Sequence, residues 1–129
     1  MKTIHTSQAP EAIGPYSQAV AAGNLVYTSG QIPLIPETMT LKEGDIADQT
    51  EQAIANLAEI LKKADSGLDR VIKTTCFLKN INDFSAFNAV YEKYFTGKPA
   101  RSCVEVAALP KNALVEIEAI ALKNEGSET

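Results

Sequence analysis

The segment 113–122 is predicted to be a β-strand with apolar side chains on both of its faces. The odd-numbered positions from 115 to 121 are all apolar and share one face, because successive side chains in a strand alternate. The opposite face combines Leu114, Ile120 and Leu122 with two glutamates, Glu116 and Glu118. Such a strand needs cover on both faces, since large exposed apolar patches are rare on monomeric proteins.

The remaining pattern predicts an α+β domain with one mixed sheet and two helices packed on one face. Gly23 and Asn24 suit a tight turn between strands at 17–22 and 25–29, and 31–44 is predicted to be a loop. The first helix begins after Asp45 as its N-cap and ends at Gly67 in the left-handed conformation. The later elements are a strand at 71–78, a helix at 83–95 capped by Asn82, and strands at 102–108 and 113–122.

The face of the sheet opposite the helices is predicted to be covered by another copy of the chain. The strand at 71–78 is apolar on both sides, with Ile72, Cys76 and Leu78 predicted to oppose Val71 and Phe77. Two helices cover only one face, so a homo-oligomer is the favoured solution. The alternative is that the loop 31–44 folds over that face.

Length and charge exclude several classes of protein. A chain of 129 residues and 13.8 kDa fits one domain, 1–129, with a polar tail at 124–129 that is predicted to be flexible. The net charge of −4 argues against a nucleic-acid partner, because phosphate binding needs clustered cations. There is no apolar run long enough for a membrane helix and no hydrophobic leader, so we expect a cytoplasmic protein without a membrane partner.

The residue inventory also limits the chemistry. His5 is the single histidine and lies in an N-terminal stretch that is predicted to be mobile. The two cysteines are not at metal-binding spacing, so neither a metal site nor a histidine-based triad is expected. The nucleotide-binding glycine patterns are missing as well, and no cofactor is predicted.

The most informative polar residues lie on the last two predicted strands. Arg101 follows a proline at the start of a strand, where its planar fork could hold a substrate carboxylate or form an ordinary ion pair. Glu116 and Glu118 share a face with apolar neighbours. A glutamate in such surroundings could hold or deprotonate a water molecule, and the alternative is the solvent side of an edge strand.

Five further residues are candidates for a binding pocket, each with a structural alternative. Tyr16 could form an amphipathic wall or simply pack its ring, and Asn88 could bind a ligand or be a structural amide. Ser29 and Gly30 end a strand, where a glycine allows close approach to the backbone. Cys103 shares a face with Arg101, and a lone cysteine is more often a small buried side chain than a nucleophile.

Four segments in this order resemble the Rid family (RidA/YjgF type), the reactive-intermediate deaminases. They are IGPYSQA at 13–19, TSGQIP at 28–33, PARSCVEV at 99–106 and VEIEA at 115–119. The resemblance extends from about residue 4 to residue 123. Two departures concern the rim of the pocket: the link 96–99 is short, and Met39 occupies a position where a turn glycine is common.

The resemblance implies a chorismate-mutase-like fold, assembled as a homotrimer with a pocket at each subunit boundary. It implies hydrolysis of 2-imino acids such as 2-iminopropanoate and 2-iminobutanoate to 2-oxo acids and ammonia, without metal or cofactor. Arg101 would bind the substrate carboxylate and Glu116 would position the attacking water. The pocket positions would be Tyr16, Ser29, Gly30, Asn88 and Cys103. Two alternatives remain open, namely an endoribonuclease that inhibits translation and a non-catalytic module that binds small carboxylates.

Overall fold

A six-stranded mixed sheet carries two helices on one face in the computed structural model, which describes residues 1–126. The spatial order of the sheet is β1-β2-β3-β8-β6-β7, in which only β6 and β7 run parallel. A two-stranded hairpin, β4–β5, stands apart. The elements are β1 (Lys2–Ile4), β2 (Ala19–Ala22), β3 (Leu25–Thr28), β4 (Leu34–Ile35), β5 (Thr40–Leu41), α1 (Ile46–Lys63), β6 (Val71–Leu78), α2 (Phe84–Tyr94), β7 (Ala100–Glu105) and β8 (Val115–Leu122).

Helix α1 begins as predicted and ends differently. The Asp45 carboxylate accepts from the N–H of Asp48 at 3.1 Å, and the Asp48 carboxylate accepts from the N–H of Asp45 at 3.1 Å, which forms a capping box. The prediction that Gly67 ends the helix in the left-handed conformation is wrong, because Asp65 takes φ 60° and Gly67 is extended. Aspartate tolerates the left-handed region better than most residues, so the helix turns off before the glycine is reached.

The approach to helix α2 also differs from the prediction. Asn82 does not cap α2. Instead, the Asn80 side chain accepts from the N–H of Asn82 at 2.9 Å and caps a single 3₁₀ turn, Ile81–Asp83. The helix starts at Phe84 directly after this turn, and it buries Phe87 and Tyr91 against the sheet and α1.

A β-bulge corrects the predicted faces of β6. The register against β8 shifts between Val71 and Lys73, so that Ile72 is the extra residue. Val71 is therefore buried in the core with Cys76 and Leu78, whereas Ile72 is exposed. The simple alternation that predicted Ile72 on the face of Cys76 and Leu78, and Val71 on the opposite face, fails at the bulge.

The N-terminal stretch and the loop 31–44 are more regular than predicted. Residues 2–4 pair with β2 as strand β1, and the His5 ring that follows lies 3.0 Å from the Glu11 carboxylate. The loop contains the β4–β5 hairpin. Met39, which occupies a position where a turn glycine is common, takes φ 58° in this hairpin. Asn124, the first residue of the predicted flexible tail, donates its N–H to the Asp65 carbonyl at 2.8 Å, and the end of that tail lies outside the described residues.

The bounds of the last strands also differ by a few residues. Strand β7 runs from Ala100 to Glu105 rather than over 102–108. Strand β8 begins at Val115 rather than at 113, because a 3₁₀ turn, Pro110–Asn112, precedes it.

The predicted α+β class and the helices on one face are confirmed.

The two faces of the sheet differ in cover. The core lies between the sheet and the helices and includes Val115, Ile117 and Ala121 of β8. The opposite face, called the outer face below, carries the even-numbered residues of β8 and leaves Tyr27 42% and Val104 45% exposed. Among residues 1–126, no helix is both long and apolar enough to cross a membrane.

The loop 31–44 does not cover the exposed residues Tyr27 and Val104 of the outer face. Asn56 of α1 donates its amide to the carbonyl oxygens of Ile32 at 3.2 Å and Leu34 at 2.9 Å. These bonds tie the loop to the helix layer. The alternative cover considered from the sequence is therefore not found over Tyr27 and Val104, which stay exposed, although Ile32 and Leu34 of the loop line a cavity beside Glu116.

Candidate functional site

Strand register divides the candidate residues between the two faces of the sheet. Arg101 of β7 pairs with Thr74 of β6, whose side chain is buried in the core. Glu116 of β8 pairs with Phe77, which lies three residues after Thr74 on β6 and belongs to the outer face. Paired residues on neighbouring strands share a face, so Arg101 and Glu116 lie on opposite faces within one chain.

The arginine half of the site lies at the edge of the sheet against helix α2. The Arg101 Nη1 atom donates to Asn88 Oδ1 at 2.7 Å. The guanidinium carbon lies 4.7 Å from the centroid of the Tyr91 ring and 5.5 Å from that of Phe84. No carboxylate among residues 1–126 lies within 4.0 Å of the guanidinium, so Arg101 forms no ion pair within the described part of the chain.

Cys103 belongs to the same half but is not activated. It shares the face of Arg101, as predicted, and pairs directly with Cys76 across the parallel β6–β7 ladder. Burial raises the pKa of the Cys103 thiol despite the nearby Arg101, and burial raises the pKa of Cys76 to about 12. Both side chains are therefore thiols at neutral pH, and a nucleophilic cysteine is not supported.

The glutamate half surrounds a cavity of about 310 Å³ on the other side of β8. Glu116 lines it together with Tyr16, Ser29 and Gly30, three of the residues proposed from the sequence. The Ser29 hydroxyl donates to the Ser17 carbonyl at 2.6 Å and so joins the two segments of the wall. The other lining residues are Pro10, Glu11, Ala12, Gln18, Gln31, Ile32, Leu34 and Pro110.

The surroundings of the Glu116 carboxyl raise its pKa. Its partial burial raises the pKa above the ordinary value, and the nearby Glu118 carboxylate raises it further. A glutamate of raised pKa is a stronger base once it is ionised, which suits removal of a proton from water. Among residues 1–126, no group of three metal-ligating side chains lies close enough together to hold a metal ion.

The chain resembles known proteins over nearly its whole length. A family model described as endoribonuclease L-PSP matches residues 6–123. A RutC family protein of Synechocystis is 52% identical over 125 residues, covering 95% of this chain and 96% of the relative. The solved structure of YyfA from Yersinia pestis, described as a member of the conserved Rid protein family, superposes with a TM-score of 0.91 at 51% identity, covering 94% of this chain and 98% of that chain.

The chain belongs to the Rid family. A further solved structure, Escherichia coli TdcF with bound serine, superposes with a TM-score of 0.90 at 43% identity, covering 95% of this chain and 99% of that chain. The fold of such neighbours is chorismate-mutase-like, and the sheet with two helices on one face follows it.

Three residues that support the candidate site were not identified from the sequence. The Gln18 amide is buried and binds the backbone of Thr6 and Pro10, which holds the segment leading to Tyr16. The pattern contains no signal for this role. Tyr91 follows Asn88 by three residues in the aromatic stripe of α2, and this spacing could have indicated that it lies beside Arg101. Thr74 could be linked to Arg101 only through the strand register.

Replacing Gly30 with alanine is expected to lower activity at least tenfold while the fold is retained. A Cβ at this position would lie 2.7 Å from Glu116 Cδ and 2.9 Å from Cγ, so the glutamate side chain must move. Misplacement of a catalytic group by about 1 Å can cost as much as 10²-fold in rate. Steady-state kinetics of the reaction proposed below, together with the thermal midpoint, checks this; unchanged kinetics would show that the position of Glu116 is unimportant.

Proposed function

We propose that the protein hydrolyses small 2-imino acids, such as 2-iminopropanoate and 2-iminobutanoate, to 2-oxo acids and ammonia. The observation that carries the proposal is an arginine fork at one sheet edge with no acidic partner among residues 1–126, combined with a partly buried glutamate facing a small cavity. The guanidinium suits a carboxylate, and the glutamate suits a water molecule. The bound serine of TdcF, an amino acid with a carboxylate, agrees with a ligand of this class.

The complete site is proposed to form between two copies of the chain. Arg101 and Glu116 belong to opposite faces of one sheet, so one chain cannot direct both at a three-carbon substrate. The outer face around Glu116 exposes Tyr27 and Val104, which a neighbouring copy would cover. We propose a homotrimer in which the β7 edge of one copy meets the outer face of the next, and light scattering should give three times 13.8 kDa.

The proposed reaction needs no covalent intermediate with the protein. Arg101 holds the substrate carboxylate, and Glu116 takes a proton from water as the water oxygen bonds to the imine carbon. The proton passes to the imine nitrogen, which gives an intermediate bearing one hydroxyl and one amino group. Glu116 then moves the hydroxyl proton to that nitrogen, the carbon–nitrogen bond breaks, and ammonia leaves as the carbonyl forms. Orientation and a positioned base supply the rate enhancement.

The charges of the glutamate cavity favour this reaction over cleavage of RNA. Two of the described lining residues, Glu11 and Glu116, are acidic, and none is lysine, arginine or histidine. The net charge of −4 also opposes the approach of a phosphate backbone. If purified protein cleaves RNA and the cleavage is unaffected by Glu116→Ala, the nuclease is a contaminant.

A competition assay tests the proposed activity. An amino-acid oxidase acting on alanine generates 2-iminopropanoate, and semicarbazide traps the imine that survives. We expect the protein to lower the yield of trapped imine and to accelerate release of ammonia and pyruvate. Saturable binding of pyruvate without a faster loss of imine would instead identify a non-catalytic carboxylate-binding module.

Replacing Glu118 with glutamine is expected to shift the acidic limb of the pH–rate profile to lower pH. The Glu118 carboxylate raises the pKa of Glu116, so its removal lowers that pKa and leaves Glu116 ionised, and able to act as a base, in more acidic solution. The rate on the plateau should change little. A profile of kcat/KM between pH 4 and 8 checks this, and an unshifted limb would mean that Glu116 does not control it.

A further inference from the structure

We propose that Tyr91, held in place by Thr74, is the positioning residue for Arg101. The inference rests on the proposed function, because it assigns Arg101 the task of binding a carboxylate. The Tyr91 ring is the nearest of three aromatic rings to the guanidinium, at 4.7 Å compared with 5.5 Å for Phe84 and 5.9 Å for Phe87. A guanidinium at such a distance is attracted by the face of the ring.

The contacts of Arg101 leave a defined part of its fork available. One nitrogen, Nη1, is bound to Asn88 Oδ1 at 2.7 Å, and the ring of Tyr91 supports the guanidinium carbon. Among residues 1–126, Nη2 and Nε have no side-chain hydrogen-bond partner. A flexible side chain fixed at two points in this way loses less entropy when it binds a carboxylate through its remaining donors.

A buried hydrogen bond fixes the ring itself. The Tyr91 hydroxyl and Thr74 Oγ1 lie 2.7 Å apart, and Thr74 is completely buried. Thr74 is also the residue that pairs with Arg101 across the β6–β7 ladder, so the same register that sets the Arg101 backbone sets the anchor of the ring. Phe95, the residue that follows α2, stacks on the ring with the two centroids 4.4 Å apart.

The polar pair is not required for packing alone. A phenylalanine and a valine would fill nearly the same volume without two buried hydroxyl groups, whose burial is tolerable only because they bond each other. The hydrogen bond adds a fixed tilt and position to the ring. Because the guanidinium lies over the Tyr91 ring, a fixed ring also fixes the direction of the guanidinium.

Binding and kinetics of paired variants test this assignment. Tyr91→Leu removes the ring, and the double variant Tyr91→Phe/Thr74→Val keeps the ring but removes its anchor without leaving an unpaired hydroxyl. We expect KM for 2-iminopropanoate and Kd for pyruvate to rise about tenfold in the first and about threefold in the second, with kcat changing less than twofold. Pyruvamide, which lacks the carboxylate, should bind each variant about as it binds the parent protein.

Phe95→Leu is the matched control for packing. It removes an aromatic ring that stacks on Tyr91 but is not one of the three rings in contact with the guanidinium. This variant should lower the thermal midpoint and leave both KM and the affinity for pyruvate unchanged. A shift in KM as large as that of Tyr91→Leu would reduce Tyr91 to a structural residue.

The outcomes separate this inference from the proposed function. Unchanged KM and pyruvate affinity in Tyr91→Leu, or equal weakening of pyruvate and pyruvamide, would overturn the positioning role while imine hydrolysis stands. If the parent protein binds pyruvate, and the Tyr91 and Arg101 variants bind it more weakly, but the parent does not accelerate loss of the imine, the enzymatic function fails and the positioning role stands. If it neither binds pyruvate nor hydrolyses the imine, both are overturned.

Discussion

Arg101→Ala is expected to abolish most hydrolysis of 2-iminopropanoate, with kcat/KM falling by about 10²- to 10⁴-fold. Two charge-assisted hydrogen bonds to a carboxylate contribute about 1.5–3 kcal/mol each, and about 1.4 kcal/mol corresponds to a factor of ten. Arg101→Lys should also be severe, because an ammonium group cannot form the planar two-bond contact. The competition assay with semicarbazide measures both variants.

The fold should tolerate the loss of Arg101. Its guanidinium bonds only the Asn88 amide among the side chains of residues 1–126, and it lies at the sheet edge rather than in the core. Circular dichroism and the mass in solution are the necessary controls. A folded Arg101→Ala protein that competes with semicarbazide as well as the parent protein would contradict the role assigned to this residue.

Glu116→Gln is the second replacement with a large expected effect. Glutamine preserves the shape of the side chain but cannot take a proton from water, so kcat should fall about 10²- to 10⁴-fold while KM changes little. Glu118→Gln is the matched control, because it removes a carboxylate two residues away on the same face of β8. That control should keep nearly full activity at neutral pH.

Glu116→Gln should also stabilise the protein near neutral pH. The raised pKa means that the folded state disfavours the ionised carboxylate, so the stability present below the ordinary pKa is lost as the pH rises through the raised value. The neutral amide avoids this loss. The thermal midpoint at pH 7 relative to that at pH 4 should therefore be higher in the variant than in the parent protein, and an equal pH dependence in both would show that ionisation of Glu116 does not destabilise the fold.

Patterns within single strands were predictable from the sequence. The alternation in 113–122 indicated correctly that Val115 and Ile117 are buried, and that Glu116 and Glu118 share the opposite face. It also pointed to a sheet with one uncovered face. These inferences depend only on the two-residue period of a strand, which is a property of the local chain.

Relations between strands were not predictable in the same way. The sequence could not reveal that Arg101 and Glu116 lie on opposite faces, because this follows from the register of β6 with both β7 and β8. The bulge at Ile72 likewise depends on its partner strand. The predicted end of α1 was wrong for a local reason. Both Asp65 and Gly67 are able to end the helix, and the chain reaches Asp65 first.

The central claim is that one site draws Arg101 from one copy of the chain and Glu116 from another. Mixing two inactive variants tests it most directly. Arg101→Ala and Glu116→Ala carry different affinity tags, are unfolded and refolded together, and mixed oligomers are isolated through both tags. A mixture of Arg101→Ala with Arg101→Met, prepared in the same way, is the control because both partners lack the same half of the site.

The isolated mixed trimers should show about a third of the parent activity, because a ring of three that contains both variants has one site of three in which Arg101 and Glu116 are both intact. The control mixture should stay inactive. Recovery of this size would show that the reaction occurs where two chains meet. Oligomers that carry both tags and remain as inactive as the separate variants would contradict the account.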